Sequence, residues 1–397
     1  MKFLVKRSFA VVLAVILLSA CGEGDKKDLG STLTPEENKV KLEQCAMNVL
    51  GKINPQVHQE LITTIEAFAY KADYGLSLDL KGKMSVVDVV RKTVTTCNPV
   101  LLSEMATNSN YMTIPSGVYV FNESKEAWEM TPSADILQFV FDVNGNKSSI
   151  SVKWSGEELP VQVDGSSEGV LVPEHVELLI DKGTSNLATL TINTTTVDIE
   201  TLTLDCDVSL KTSGDYSWLV DVAVSPAGIS TAATMNIASS NIVGTYLNLQ
   251  LNANDVNLGM DDEDFANAIL SASTTTIINS EVMLTGNISK VKEMVSKIHQ
   301  INAATEKEHY TEEASIINQY MDAGLFYVGD KEPFASIETQ AYNYGNTHVE
   351  YYDVEPVLVF ASDESRYSFD EFFNEYDFAN VVRNFQILLG QYVSMVR

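Results

Sequence analysis

The sequence predicts an α+β protein in which a long antiparallel β-meander, free to curve strongly, packs against helices from both ends of the chain. Three observations carry this expectation. Apolar residues recur at helical spacing between residues 34 and 109, the period switches to two from about 117 to 286, and helical spacing returns after Ser289. The 397 residues are 45% apolar and 20% charged, which is the composition of a chain that buries a core and not of an acidic tail.

The elements follow in order. Thr34-Pro35-Glu36-Glu37 is a capping box with Pro at the first helical position, and Leu42, Cys45 and Val49 continue the helix it starts. Asn54-Pro55 opens a second helix with Val57, Leu61, Ile65 and Phe68 on one face, and Ser85 starts a third that reaches about Thr95. Short strands are expected at Gly117–Phe121, Ala127–Met130, Ile136–Phe141 and Ser149–Trp154. Longer ones are expected at Leu187–Ile192, Val197–Leu210, Ser217–Val224, Ile229–Ile237, Tyr246–Leu251 and Thr276–Leu284, where apolar residues alternate with Thr, Ser or Asn. Turns at Ser213-Gly214-Asp215 and Pro226-Ala227-Gly228 punctuate them. A helix from Ser289 carries Val291, Met294, Val295 and Ile298 on one side, and two more are expected at about 311–322 and 368–395. They bracket strands near Leu325–Val328, Ala335–Tyr342 and Pro356–Phe360.

Residues 1–21 read as an export signal. Lys2, Lys6 and Arg7 precede an apolar run from Phe9 to Leu18, too short to span a hydrocarbon core of about 30 Å. Leu18-Ser19-Ala20-Cys21 resembles the lipobox of bacterial envelope lipoproteins. The resemblance implies that the Cys21 thiol receives a diacylglycerol, that the peptide is cut before it, and that the new amine takes a further acyl chain such as palmitate. Gly22 in place of Asp implies the outer membrane, with the periplasmic and surface faces both open. The organisation expected is therefore a signal peptide at 1–20, the lipidated cysteine and a flexible tether at 21–33, and a helical region at 34–109. An antiparallel β region at 110–287 and an aromatic-rich mixed region at 288–397 follow. Residues 34–397 are able to form one compact unit.

Charge excludes one class of partner. The formal net charge is −28, and loss of Lys2, Lys6 and Arg7 leaves 23 basic residues against 54 acidic, so no basic face is offered to nucleic acid. Residues 22–109 are nearly neutral, with 10 basic and 12 acidic residues, so the acidic excess lies in the rest of the chain. Export allows a disulfide, and Cys45 with Cys97 is the expected pair, worth about 4 kcal/mol by loop closure. Cys206 shares the apolar face of a strand and is expected to be a small buried hydrophobe.

Catalytic signals fail on context. Gly165-Ser166-Ser167-Glu168-Gly169 matches G-x-S-x-G, but Val170-Leu171-Val172-Pro173 after it is extended where a nucleophile elbow needs a helix, so the motif reads as a hairpin turn. The five histidines have no ligand spacing, and no phosphate-binding or dinucleotide fingerprint occurs, so no catalytic residue, cofactor or metal is expected. Asp261, Asp262 and Asp264 are weak calcium candidates, and Asp205 and Asp207 share the polar face of a strand. Residues 310–397 hold 18 of the 34 aromatics. Phe369, Phe372, Phe373 and Tyr376 fall at helical spacing and are expected to pack inward, whereas Tyr342 and Tyr344, flanked by Asn343 and Gly345, are expected to be exposed binding residues.

These readings predict a lipid-anchored cell-envelope protein with a non-catalytic binding or structural role, acting through an acidic, aromatic-containing surface on a protein or glycan. The alternative is a carrier that holds a lipid or other apolar ligand between sheet and helices, since the predicted outline resembles the half-barrels of periplasmic lipoprotein carriers. An envelope hydrolase ranks third.

Overall fold

A computed structural model describes residues 33–72, 116–133, 136–161, 170–198, 201–256, 265, 267–345 and 350–396. The export segment with Cys21, the tether, the helix expected at 85–95, Cys97, the Gly165–Gly169 turn, Asp261, Asp262 and Asp264 lie outside the described residues.

The protein is mostly β. Its strands are β1 (Gly117–Asn122), β2 (Ala127–Pro132), β3 (Ile136–Val143), β4 (Asn146–Val161), β5 (Val170–Lys182), β6 (Ser185–Asp198), β7 (Thr203–Thr212) and β8 (Tyr216–Ser225). They continue as β9 (Gly228–Ile237), β10 (Ser240–Leu251), β11 (Ile269–Ile278), β12 (Val282–Ser289), β13 (Met321–Tyr327), β14 (Ala335–Asn343), β15 (Tyr352–Phe360) and β16 (Arg366–Ser368). The helices are α1 (Pro35–Lys52), a 3-10 turn at Pro55–His58, α2 (Gln59–Ala72), α3 (Val291–His299), α4 (Glu306–Tyr320), α5 (Phe369–Phe372) and α6 (Ala379–Met395).

The sheet order is β16 through β3 in sequence, then β1 and β2, and it does not close. The expected all-antiparallel meander needs one correction. β1 pairs antiparallel with β2 but parallel with β3, so the sheet is mixed. The reason lies in the edge. β2 buries only Trp128 and ends on Pro132, which suits an edge strand, while β1 buries Tyr119 and Phe121 and takes the interior place.

Three expected elements are split. Thr276–Leu284 is not one strand, because Asn279 and Ser280 both adopt positive φ (54° and 55°) and reverse the chain between β11 and β12. Val197–Leu210 breaks at Leu202 (φ 51°), where Asp198 Oδ1 accepts from the Thr201 N–H at 3.2 Å. The C-terminal helix divides into α5 and α6 because Asn374 Oδ1 accepts from the N–H groups of Tyr376 and Asp377 at 3.1 and 3.0 Å, which starts a new turn.

The chain forms two compact units by its contacts. The unit comprising Asn54–Val224, Asn236–Ala238 and Leu388–Arg397 packs α2 on β1 to β7. Phe68 of α2 sits 5.5 Å from both Phe139 and Phe141, and Trp128 Nε1 donates to Lys71 O at 3.2 Å. The buried face of α2 runs through Thr64 and Phe68 to Ala72; Ile65, expected on it, is 42% exposed. Thr64 is accepted inside because its hydroxyl donates to Glu60 O at 2.7 Å. Cys206 is buried in this core, as its place on the alternating strand suggests.

The unit comprising Met1–Ile53, Ser225–Met235 and Ser239–Ile387 packs α1, α3, α4 and α5 on one face of β12 to β15. Ile288, Met294, Ile316, Leu325, Phe360 and Phe372 form its centre. α1 is fixed at its start by the expected box, with Glu37 N–H donating to Thr34 Oγ1 at 3.3 Å and Thr34 N–H to Glu37 Oε2 at 2.8 Å. Asn38, fully buried, gives its amide to Leu33 O and Thr34 O, both at 3.1 Å, and accepts the Tyr327 hydroxyl at 2.6 Å. Lys39 is nearly buried between Asp377 (2.6 Å) and Glu36 (3.1 Å); burial opposes its charge, but the two carboxylates outweigh it and hold its pKa above the usual value.

Candidate binding surface

The sequence candidates Tyr342 and Tyr344 stand where β14 turns toward β15, on the face of an antiparallel pair whose register is Tyr342 against Asp353 and Asn343 against Tyr352. Alternation along β14 buries Ala335 and Ile337 against the helices, and the strand then runs out beyond that cover. Tyr342 is 47% exposed, Tyr344 56% and Tyr351 50%. A phenol ring is costly to leave in water at three neighbouring positions, and scattered single exposures do not group in this way.

The group is held by backbone geometry. Tyr344 N–H donates to Tyr351 O at 3.0 Å, and Asn343 Oδ1 accepts from the N–H groups of Gly345 at 2.9 Å and Tyr351 at 3.3 Å. The Tyr344 and Tyr351 rings lie stacked, with centroids 5.8 Å apart and planes 20° from parallel. Asp353, directly opposite Tyr342, is exposed, and Glu355 accepts from Gln340 Nε2 at 2.9 Å one pair further down. Asp353, whose Oδ1 accepts the Val354 N–H at 2.8 Å, keeps further acceptor capacity, which suits a ligand that offers hydroxyl donors along with C–H faces for the rings. Tyr351 was not singled out by sequence. It comes to Tyr344 through the continued pairing of the two strands, and its place just before β15 was the available signal.

Other clusters do less. Across β5, β6 and β7, His175 Nδ1 lies 2.6 Å from Asn193 Oδ1, and Asn193 Nδ2 donates to Asp207 Oδ2 at 2.7 Å. A carboxylate only accepts, so the Asn193 amide nitrogen faces Asp207, its oxygen faces the ring, and Nδ1 of His175 carries the proton. The row orients a histidine; it brings no nucleophile. Asp205 and Asp207, expected on the polar face of a strand, both lie on β7, and Asp207 accepts from Asn193. Among the described residues no group of three or more His, Cys, Asp or Glu side chains is placed to hold a metal ion.

An open groove of about 680 Å³ is lined by Leu270 and by Lys290, Lys292 and Lys297. Each lysine already has a carboxylate: Lys290 and Lys297 face Glu293 at 3.8 and 3.6 Å, and Lys292 faces Asp255 at 3.5 Å. Cys45 is a buried free thiol 3.9 Å from Ile278 O, and burial together with Glu281 pushes its pKa up to about 11; its expected partner Cys97 lies outside the described residues. Of the four aromatics expected to pack inward, Phe372 is fully buried and Phe369 packs against the same core. Phe373, the C-cap of α5, is exposed by 39%, and Tyr376, in the turn that Asn374 holds, by 83%.

No described helix is long and apolar enough to cross a membrane, a statement that does not bear on strands. Comparison of the chain with known protein families, with curated proteins and with solved structures finds no match.

Proposed function

We propose that this is a lipid-anchored protein of the bacterial cell envelope that binds a neutral glycan without catalysis, through the tyrosine hairpin formed by Tyr342, Tyr344, Tyr351 and Asp353. The stacked, half-exposed pair Tyr344 and Tyr351 is the observation that supports this reading most. Aromatic faces held by backbone bonds lose little entropy on binding, and sugars present the C–H faces that pack on them. The net charge of −28 selects against polyanionic glycans by repulsion, leaving neutral ones. The anchor is supported by the sequence from Lys2 to Cys21.

Two measurements test the parts. Palmitate should label the wild type and leave Cys21→Ser unlabelled; equal labelling of both sinks the anchor. Neutral envelope polysaccharide should retain the wild type and release Tyr344→Ala/Tyr351→Ala. Binding to anionic polymer alone would end the glycan assignment.

A further inference from the structure

We infer that α6 is an interfacial helix whose outer stripe lies in the head-group region of the bilayer to which the chain is anchored; the inference rests on the lipid-anchor reading above and gives that anchor a second, reversible contact. Phe385, Leu389 and Val393 fall within about 80° of one another around the helix axis at 100° per residue, and Val396 directly follows the helix end. Each is more than half exposed, and Met395 is the one fully buried residue of α6. The half-buried Val381, Leu388 and Tyr392 occupy the neighbouring face, so the apolar surface of α6 is wider than the part that the described residues cover. Tyr376, in the turn that leads into α6, adds an amphipathic ring of the kind favoured at a water–lipid boundary.

Three observations select a lipid surface as the occupant. First, no Asp or Glu occurs after Asp377, while Arg383 and Arg397 are positive, in a chain whose net charge is −28. A bilayer carrying anionic lipid repels the acidic body of the chain that follows residue 109 and does not repel this segment. Second, the start of α6 lies against α1. Lys39 bonds Asp377 at 2.6 Å, and Asn380 Nδ2 donates to Glu43 at 3.0 Å. α1 begins at Pro35, fourteen residues after Cys21, so at most about 50 Å of chain separates the anchor from the element that holds the start of α6. Third, four half-exposed side chains offer roughly 400 Å² to a partner, about half of the ~800 Å² that each side of a stable protein pair buries. That area is small for a dimer and sufficient for a contact made intramolecular by an anchor.

Tryptophan scanning of the full, acylated chain in phosphatidylcholine vesicles, with and without phosphatidylglycerol, tests this. Leu389→Trp should be quenched by brominated acyl chains, and Ile387→Trp, exposed on the opposite side of α6, should not. In the acyl-free Cys21→Ser chain, Leu389→Glu should weaken vesicle binding by about tenfold or more. Equal quenching at both positions, or none at Leu389→Trp while the protein sediments with the vesicles, overturns the inference. So does a blue-shifted Leu389→Trp emission before lipid is added, which would mean that another segment of this chain or a second copy covers the stripe. Absence of an acyl group on Cys21 with quenching intact defeats the anchor reading and leaves the stripe standing.

Discussion

His58 Nδ1 lies 2.9 Å from the Tyr392 hydroxyl, which ties the end of α6 to the turn that precedes α2. Nε2 of the same ring is 3.0 Å from Thr212 Oγ1, and the ring packs edge-on against Tyr216 at 4.6 Å. The Asn54 N–H donates to the Tyr216 hydroxyl at 2.6 Å, so three aromatic side chains and one threonine close the start of the helical segment onto β7 and β8. Every polar atom of the buried imidazole is used, which is the condition for burying it.

That arrangement has a pH dependence. Burial lowers the pKa of His58, so the folded state holds the neutral ring while the unfolded chain titrates near 6.5. The contribution is complete above about pH 6.5 and is lost as pH falls through the lowered folded value. Thermal melts between pH 8 and 5 should therefore show a decline in the wild type that His58→Gln lacks. A parallel decline in both proteins would remove His58 from the account.

Asn38 carries more than its size suggests. Replacing it by Leu removes the acceptor of the Tyr327 hydroxyl and the amide that bonds Leu33 O and Thr34 O, in a fully buried site. The expected loss is about 2–4 kcal/mol by urea unfolding, against about 1–2 kcal/mol for Tyr327→Phe, which strands one acceptor alone. An Asn38→Leu variant as stable as the wild type would contradict the packing of α1 on β13.

Gly214 is fixed by two independent demands. Its φ is +79°, and a Cβ there would lie 2.7 Å from Val57 Cγ2. Ser213 Oγ donates to Val57 O at 2.7 Å, so the turn cannot move away without breaking that bond. Gly214→Ala should cost about 1–3 kcal/mol, with the midpoint of denaturation lowered and its slope unchanged.

The Cys45 thiol, pushed up to about 11, is expected to resist alkylation. With reductant present at pH 8, iodoacetamide should modify it on the order of a hundredfold more slowly in the native protein than in urea. Rapid native labelling would place the thiol outside the core.

Local signals were the legible ones. The Thr34 to Glu37 box and the Ser213-Gly214-Asp215 turn act within four residues, and both are present where the sequence placed them. The reversal at Asn279 and Ser280 carries no Gly or Pro, and only the polar trio Asn279-Ser280-Glu281 between Ile278 and Val282 marks it. The parallel pairing of β1 with β3 depends on which strand ends as the edge, a contest among segments that no window of sequence contains. Within the candidate surface, the flanking Asn343 and Gly345 marked Tyr342 and Tyr344 as turn residues. The stacking of Tyr344 on Tyr351, like the row of His175, Asn193 and Asp207, arises from strand register and was invisible without it.

Titration calorimetry with neutral envelope polysaccharide tests the proposed role of Tyr344 and Tyr351 most directly. The full chain in detergent should bind, and Tyr344→Ala/Tyr351→Ala should bind at least about tenfold more weakly, a difference of about 1.4 kcal/mol, with its melting temperature unchanged. Equal affinity in the two proteins, or no heat from either, would contradict the assignment of this surface.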